Sequence, residues 1–174
     1  IKSRENIIIL PYEYFLTYNS IIKNFVKLLF FKLKLKNIYY KKLNISSLIF
    51  EEFYRSGISI NSYIFYDLTK TLFKNFTKIN KVFMTYENRS WENMFIRSIR
   101  KISKNIKIVG FQHSVVYQAS AGYYLQKNEE RVKPLPDILF TNGNVTKKFI
   151  SKLSHYPPNL LKVGCALRYK YLNN

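Results

Sequence analysis

Val82-Phe83-Met84-Thr85-Tyr86 is a short apolar run of strand length, bounded by Asn80-Lys81 before it and Glu87-Asn88 after it. From Ser90 the period changes. Trp91, Phe95, Ser98 and Ile102, with Met94 and Ile99 beside them, recur at three- and four-residue steps, while Arg97, Arg100, Lys101 and Lys104 take the other side. This spacing predicts an amphipathic helix. Residues 106–111 form a second apolar run that ends in Gln112-His113-Ser114. Strand, helix and strand in that order predict two parallel neighbours in one sheet.

The same alternation extends in both directions. Residues 6–10 predict a first strand, stopped by Pro11. Residues 15–35 predict a basic helix, with Ile21, Ile22, Phe25, Leu28, Leu29 and Phe31 set against Lys23, Lys27, Lys32, Lys34 and Lys36. Its wide apolar stripe fits either burial against a sheet or a membrane interface, with lysines among anionic head groups. Residues 37–44 break the pattern and predict a loop. Two further helices are expected: 46–54, capped by Ser46 or Ser47 and ended by Gly57, and 61–76, capped by Asn61 or Ser62. Residues 137–141 predict another strand and 145–153 another helix. Tyr156-Pro157-Pro158 stops that helix, and 160–164 is a last apolar run. The expected fold is α/β, a Rossmann-like parallel sheet with helices on both faces and a helix-rich insertion before the second strand. Residues 1–158 are expected to form one domain.

Composition narrows the function classes. The 174 residues are 47% hydrophobic and 17% aromatic, which argues against disorder. A formal charge of +19 implies attraction to something anionic: nucleic acid, a membrane surface or phosphorylated substrates. Lysine is spread over most of the chain, and neither zinc-finger spacing nor an RNP-like aromatic motif occurs, so no specific nucleic-acid partner is expected. A single cysteine, Cys165, excludes an internal disulfide and a cysteine-built zinc site. No apolar run reaches the roughly 18–20 residues that a membrane-spanning helix needs.

Open parallel sheets bind ligands at the carboxyl ends of their strands. Glu87 and Asn88 follow one expected strand, Gln112, His113 and Ser114 a second, and Asn142-Gly143 a third. Gly143 permits a tight turn, so the first-turn amides of the following helix can face the same rim and receive an anion.

Tyr86-Glu87-Asn88-Arg89-Ser90-Trp91-Glu92, Gly110-Phe111-Gln112-His113-Ser114, Leu135-Pro136-Asp137, Thr141-Asn142-Gly143, Tyr156-Pro157-Pro158 and Val163-Gly164-Cys165-Ala166-Leu167-Arg168-Tyr169 occur in this order. Together they resemble a bacterial surface-carbohydrate biosynthesis family with glycosyltransferase-B-like architecture, associated with O-antigen and capsule loci. The resemblance covers about residues 82–169. It implies that the chain is the amino-terminal, acceptor-side domain of a sugar transferase. Residues 159–174 would begin the interdomain linker, and a second domain absent from this chain would hold the nucleotide-sugar donor. The acceptor would be a glycan or a lipid-linked glycan. The expected location is cytoplasmic, either free or peripheral at the inner membrane face, and neither cofactor nor metal is expected. Transfer to a hydroxyl needs a base; Glu87 is the first candidate and His113 the second. Asn88, Gln112, Ser114, Asn142, Gly143 and Arg168 are the candidate substrate-binding residues. A non-catalytic basic module for anionic glycan, lipid or nucleic acid is the alternative reading.

Overall fold

The computed structural model describes residues 10–31, 36–55, 60–118 and 120–164. The expected first strand lies outside the described residues except for Leu10, as do Gly57, Cys165 and Arg168. The chain divides into two compact units, between Ile64 and Phe65.

The first unit contains a 3-10 turn at Tyr12–Phe15, helix α1 (Tyr18–Leu29), strands β1 (Tyr39–Tyr40) and β2 (Leu43–Asn44), and helix α2 (Ser46–Arg55). Helix α1 starts at Tyr18 because the Thr17 hydroxyl accepts the Ser20 N–H at 3.2 Å, the usual work of an N-cap side chain. The stretch expected as a loop is an antiparallel hairpin, pairing Tyr39 with Asn44 and Tyr40 with Leu43. Its two turn residues, Lys41 and Lys42, have φ of 51° and 88°. Two-residue hairpin turns need this positive φ to match strand twist, a demand that Asn-Gly usually meets. The Ile45 N–H bonds the Ile38 carbonyl at 2.9 Å, and the Ser46 hydroxyl accepts the Ile38 N–H at 2.8 Å, which closes the base of the hairpin.

Helix α3 (Ile60–Asn75) leads into the second unit, a Rossmann-like α/β layer. Strands β3 (Lys81–Thr85), β4 (Lys107–Phe111), β5 (Ile138–Thr141) and β6 (Leu161–Val163) lie in sequence order, each parallel to the next. They are flanked by helices, with α4 (Ser90–Ile102) linking β3 to β4 and α5 (Asn144–Leu153) linking β5 to β6. The apolar run at 160–164, expected to open a linker, thus supplies the fourth strand.

Pairing in register puts Val82 beside Ile108 and Leu139 beside Leu161, so that one sheet face carries a continuous apolar row. That row packs with Ile96 and Ile99 of α4 and Ile150 of α5 in one core. On the opposite face Phe83, Phe111 and Phe140 form an aromatic row, with centroids 6.2 and 5.2 Å apart. At the amino end of the sheet the Asp137 carboxylate accepts the Ile108 N–H at 2.6 Å and pairs with Arg100 at 2.7 Å. Arg100, on the polar side of α4, also donates to the Ile106 carbonyl and so pins the helix to the amino ends of β4 and β5.

Close packing explains one glycine. A Cβ at Gly110 would stand 2.9 Å from the Tyr86 Cβ and 3.3 Å from both Leu139 and Pro136, whereas one at Gly122 would meet nothing within 4 Å. Gly110→Ala is therefore expected to lower unfolding free energy by about 1–3 kcal/mol, the usual range for overpacking. Gly122→Ala should stay within about 0.5 kcal/mol, as surface changes do. Urea denaturation of both variants checks the contrast.

Candidate active site

The β3–β4 register builds the site. Thr85 pairs with Phe111, and the Tyr86 N–H continues the ladder to the Phe111 carbonyl at 2.8 Å. Two residues beyond the Thr85–Phe111 pair in each chain, Glu87 stands against His113. Glu87 Oε1 and His113 Nδ1 are 3.0 Å apart; the Glu87 side chain is only 10% exposed and the imidazole 54%. Arg89 Nε lies 3.6 Å from the other carboxylate oxygen.

Glu92 holds this arrangement. The helix following β3 starts at Ser90, and buried Glu92 reaches back from its first turn. One of its oxygens accepts both the Glu87 N–H, at 2.9 Å, and the Arg89 N–H, at 2.8 Å. This is the backward arm of a capping box. Since Glu92 satisfies the loop amides, the Glu87 carboxylate is left to the rim. Burial of Glu92 raises its pKa, against the lowering effect of its two backbone hydrogen bonds.

Glu87 shifts the other way. Burial by itself would raise its pKa. Hydrogen bonds from Ser114 and Tyr123, with the charges of His113 and Arg89, outweigh burial and hold the carboxyl below its ordinary value of 4.5. The Ser114 and Tyr123 hydroxyls are themselves 2.6 Å apart. Tyr123 is pushed up, chiefly by burial and then by the neighbouring carboxylate.

These groups open onto a cavity of about 810 Å³ lined by Glu87, Arg89, His113, Ser114, Tyr117 and Tyr123, with Asn88, Ser90, Val115, Ser120 and Gly122 completing its wall. The structure therefore brings together four of the expected residues: Glu87, Asn88, His113 and Ser114. Asn88 is buried, with φ of 62°. Its amide donates to the Gly122 carbonyl and its oxygen accepts from the Tyr86 hydroxyl at 3.2 Å, so it fastens the loop as well as lining the cavity.

Gln112, Asn142 and Gly143 do not line the cavity. Gln112 is buried; its amide donates to the Ser114 carbonyl at 2.6 Å and its oxygen accepts the Asn142 N–H at 3.2 Å. It ties the end of β4 to the end of β5. Gly143, at φ 111°, precedes α5, and its N–H is taken by the Thr141 carbonyl at 2.7 Å. Arg168 lies outside the described residues.

Arg89, Tyr117 and Tyr123 are the functional candidates that sequence reasoning missed. For Arg89 a signal existed, since a cation two residues after Glu87 shares its loop. Tyr117 and Tyr123 lie in the long segment after His113, where periodicity gives no direction. Among the described residues no three His, Cys, Asp or Glu side chains gather as metal ligands. Comparison of the chain with protein-family models, curated proteins and solved structures returned no match.

Two outcomes are expected of this geometry. Glu92→Ala strands two backbone donors and should destabilise by about 2–4 kcal/mol, whereas Glu92→Gln keeps an acceptor oxygen and should stay within about 1 kcal/mol. Chemical denaturation separates them. Because the folded-state pKa of Glu87 is depressed, its contribution to stability is complete above 4.5 and is lost as pH falls through the lower folded value. Glu92, shifted upward, instead makes the folded state less favourable as pH rises from 4.5 through its raised value. Melting temperature should consequently fall less steeply below pH 4.5 in Glu87→Gln than in the unmodified chain.

Proposed function

We propose that Glu87 and His113 form a proton-handling pair that activates an acceptor hydroxyl for glycosyl transfer. In this reading the chain is the acceptor side of a glycosyltransferase of bacterial surface-polysaccharide synthesis. The observation that carries it is the 3.0 Å contact between a mostly buried carboxylate and a half-exposed imidazole over a polar cavity.

The chemistry follows from the contact. A carboxylate at Nδ1 fixes the orientation of the ring and stabilises the imidazolium that forms when a proton is taken up. Proton exchange with an acceptor hydroxyl then runs through Nε2 of His113, which becomes the base, while Glu87 becomes its positioning residue. That reverses the order in which sequence alone ranks the two. Arg89, on the loop beside them and largely exposed, supplies a cation for a phosphate group of the donor or acceptor. Tyr123 and Ser114 hold the carboxylate and add two hydroxyls to the cavity lining. The order of motifs from Tyr86 to Tyr169, which resembles the surface-carbohydrate family, supports sugar as the acceptor class. The donor would be a nucleotide-sugar carried by a further domain.

The test uses the full-length protein and a panel of nucleotide-sugars. His113→Ala should lower turnover by ~10²–10⁴-fold, the range for loss of a general base. Glu87→Gln should lower it as well and displace the pH–rate profile, a change that a purely structural role would not produce. Unchanged transfer by both variants would remove the assignment and favour a non-catalytic binding module.

A further inference from the structure

Helix α1 is amphipathic with its faces reversed relative to an ordinary surface helix. Tyr18, Ile22, Phe25 and Leu29 recur at three- and four-residue steps on one face, and each is more than half exposed, from 51% at Phe25 to 87% at Tyr18. The one buried residue of the helix is polar Asn24. Lys23 and Lys27 lie on the side away from the apolar stripe and are exposed.

The hairpin repeats the pattern independently. Tyr39, Tyr40 and Leu43 are 62%, 60% and 70% exposed, and the turn between the strands consists of Lys41 and Lys42, both at positive φ. Such backbone is unfavourable for lysine by roughly 1 kcal/mol per residue. Asn-Gly would form the turn more readily, so local backbone preference does not account for the two lysines at the tip. The sequence around both elements is one-signed. Between Glu13 and Glu51 stand seven lysines and no acidic residue.

From these observations we infer that α1 and the β1–β2 hairpin each present a docking element for an anionic lipid bilayer. Apolar side chains enter the acyl boundary, tyrosines sit at head-group level, and lysines meet lipid phosphates. The occupant follows from chemistry. Exposed Ile22 and Leu29 offer nothing to a nucleic acid, whose bases stack on aromatic faces, whereas hydrocarbon accepts aliphatic and aromatic side chains alike. Seven unbalanced positive charges suit a negative surface potential rather than a neutral one. No helix among the described residues is long and apolar enough to cross a membrane, so contact at the interface is the mode inferred. The inference does not depend on the chemistry proposed for Glu87 and His113.

The test is co-sedimentation of the full chain with phosphatidylcholine vesicles, with and without about one-third phosphatidylserine. Binding to the anionic vesicles alone at low salt, lost as salt is raised toward 0.5 M, is the expected result (about 0.5 M salt shortens the Debye length to a few ångströms). The double variant Lys41→Asn/Lys42→Gly places favoured residues in the turn and removes two charges. It should melt no lower than the unmodified chain yet bind anionic vesicles roughly 30-fold more weakly, at about 1 kcal/mol per lysine. Phe25→Ser/Leu29→Ser should weaken binding further without changing its salt dependence. Equal binding to neutral and anionic vesicles overturns the inference. So does binding to a single-stranded oligonucleotide but not to vesicles, or self-association that is abolished by Phe25→Ser/Leu29→Ser in a chain that ignores vesicles.

Discussion

The parallel register of β3 on β4 is the constraint on which the candidate site depends. Parallel pairing at Thr85 and Phe111 sends both chains out of the sheet side by side and in the same direction. The next hydrogen bond, from Tyr86 N–H to Phe111, keeps them together for one more residue. Glu87 and His113 then meet without any further device. A slip of one residue would exchange the two faces of β4 and set His113 against a different partner. Several interactions prevent the slip. Gly110 admits Tyr86 where any side chain would intrude, Asp137 clamps the Ile108 amide, and the Val82–Ile108 row is buried under α4.

Four acidic residues of the second unit, Glu87, Glu92, Glu129 and Asp137, divide into two kinds according to what their oxygens accept. Glu92 takes two loop amides, Asp137 takes the Ile108 amide, and Glu129 takes the Gln126 amide together with the Lys133 ammonium. Each ends a connection or fastens one element to the next. Glu87 accepts instead from the hydroxyls of Ser114 and Tyr123, which line a cavity, and lies 3.0 Å from His113 Nδ1. A carboxylate spent on backbone donors is part of the scaffold. One held by hydroxyls and an imidazole sits where a substrate can take part in the same network, and this separates Glu87 from its neighbours in a chain with only ten acidic residues.

The strands at 82–86, 106–111 and 137–141 and the helices at 90–104 and 145–153 are legible in the sequence, because their apolar periods are regular and their ends are punctuated. The approach of Glu87 to His113 is legible too, since strand–helix–strand order alone places the two strand ends side by side. Other features require coordinates. That Gln112 would turn away from the cavity to bridge Ser114 and Asn142 depends on the spacing of β4 and β5, which no local pattern encodes. The choice of Glu92 rather than Glu87 as the cap of α4 turns on where the helix begins, and an acidic residue on either side of Ser90 makes both choices plausible by sequence. The hairpin at 39–44 is masked because Lys-Lys lacks the usual turn chemistry. Residues 160–164 are an apolar run whose place in the sheet comes only from pairing with β5, which no local pattern encodes.

The charge of the chain takes on meaning when it is apportioned. A net +19 spread evenly would say only that the surface is basic. In the segment from Glu13 to Glu51 the positive charges have no acidic counterparts, and exposed Ile22, Phe25 and Leu29 share that segment with them. Exposed aliphatic side chains and unbalanced lysines each disfavour a compact state in water, the first by unburied apolar area and the second by self-repulsion. Both penalties are relieved by the same environment, a surface that is apolar within and negative at its boundary. In the second unit the buried apolar residues of the sheet, α4 and α5 are gathered into one core, and Glu92, Glu129 and Asp137 are hydrogen-bonded. The two units thus differ in physical character: exposed apolar side chains stand beside unbalanced lysines in the first, and an apolar core lies under a polar cavity in the second.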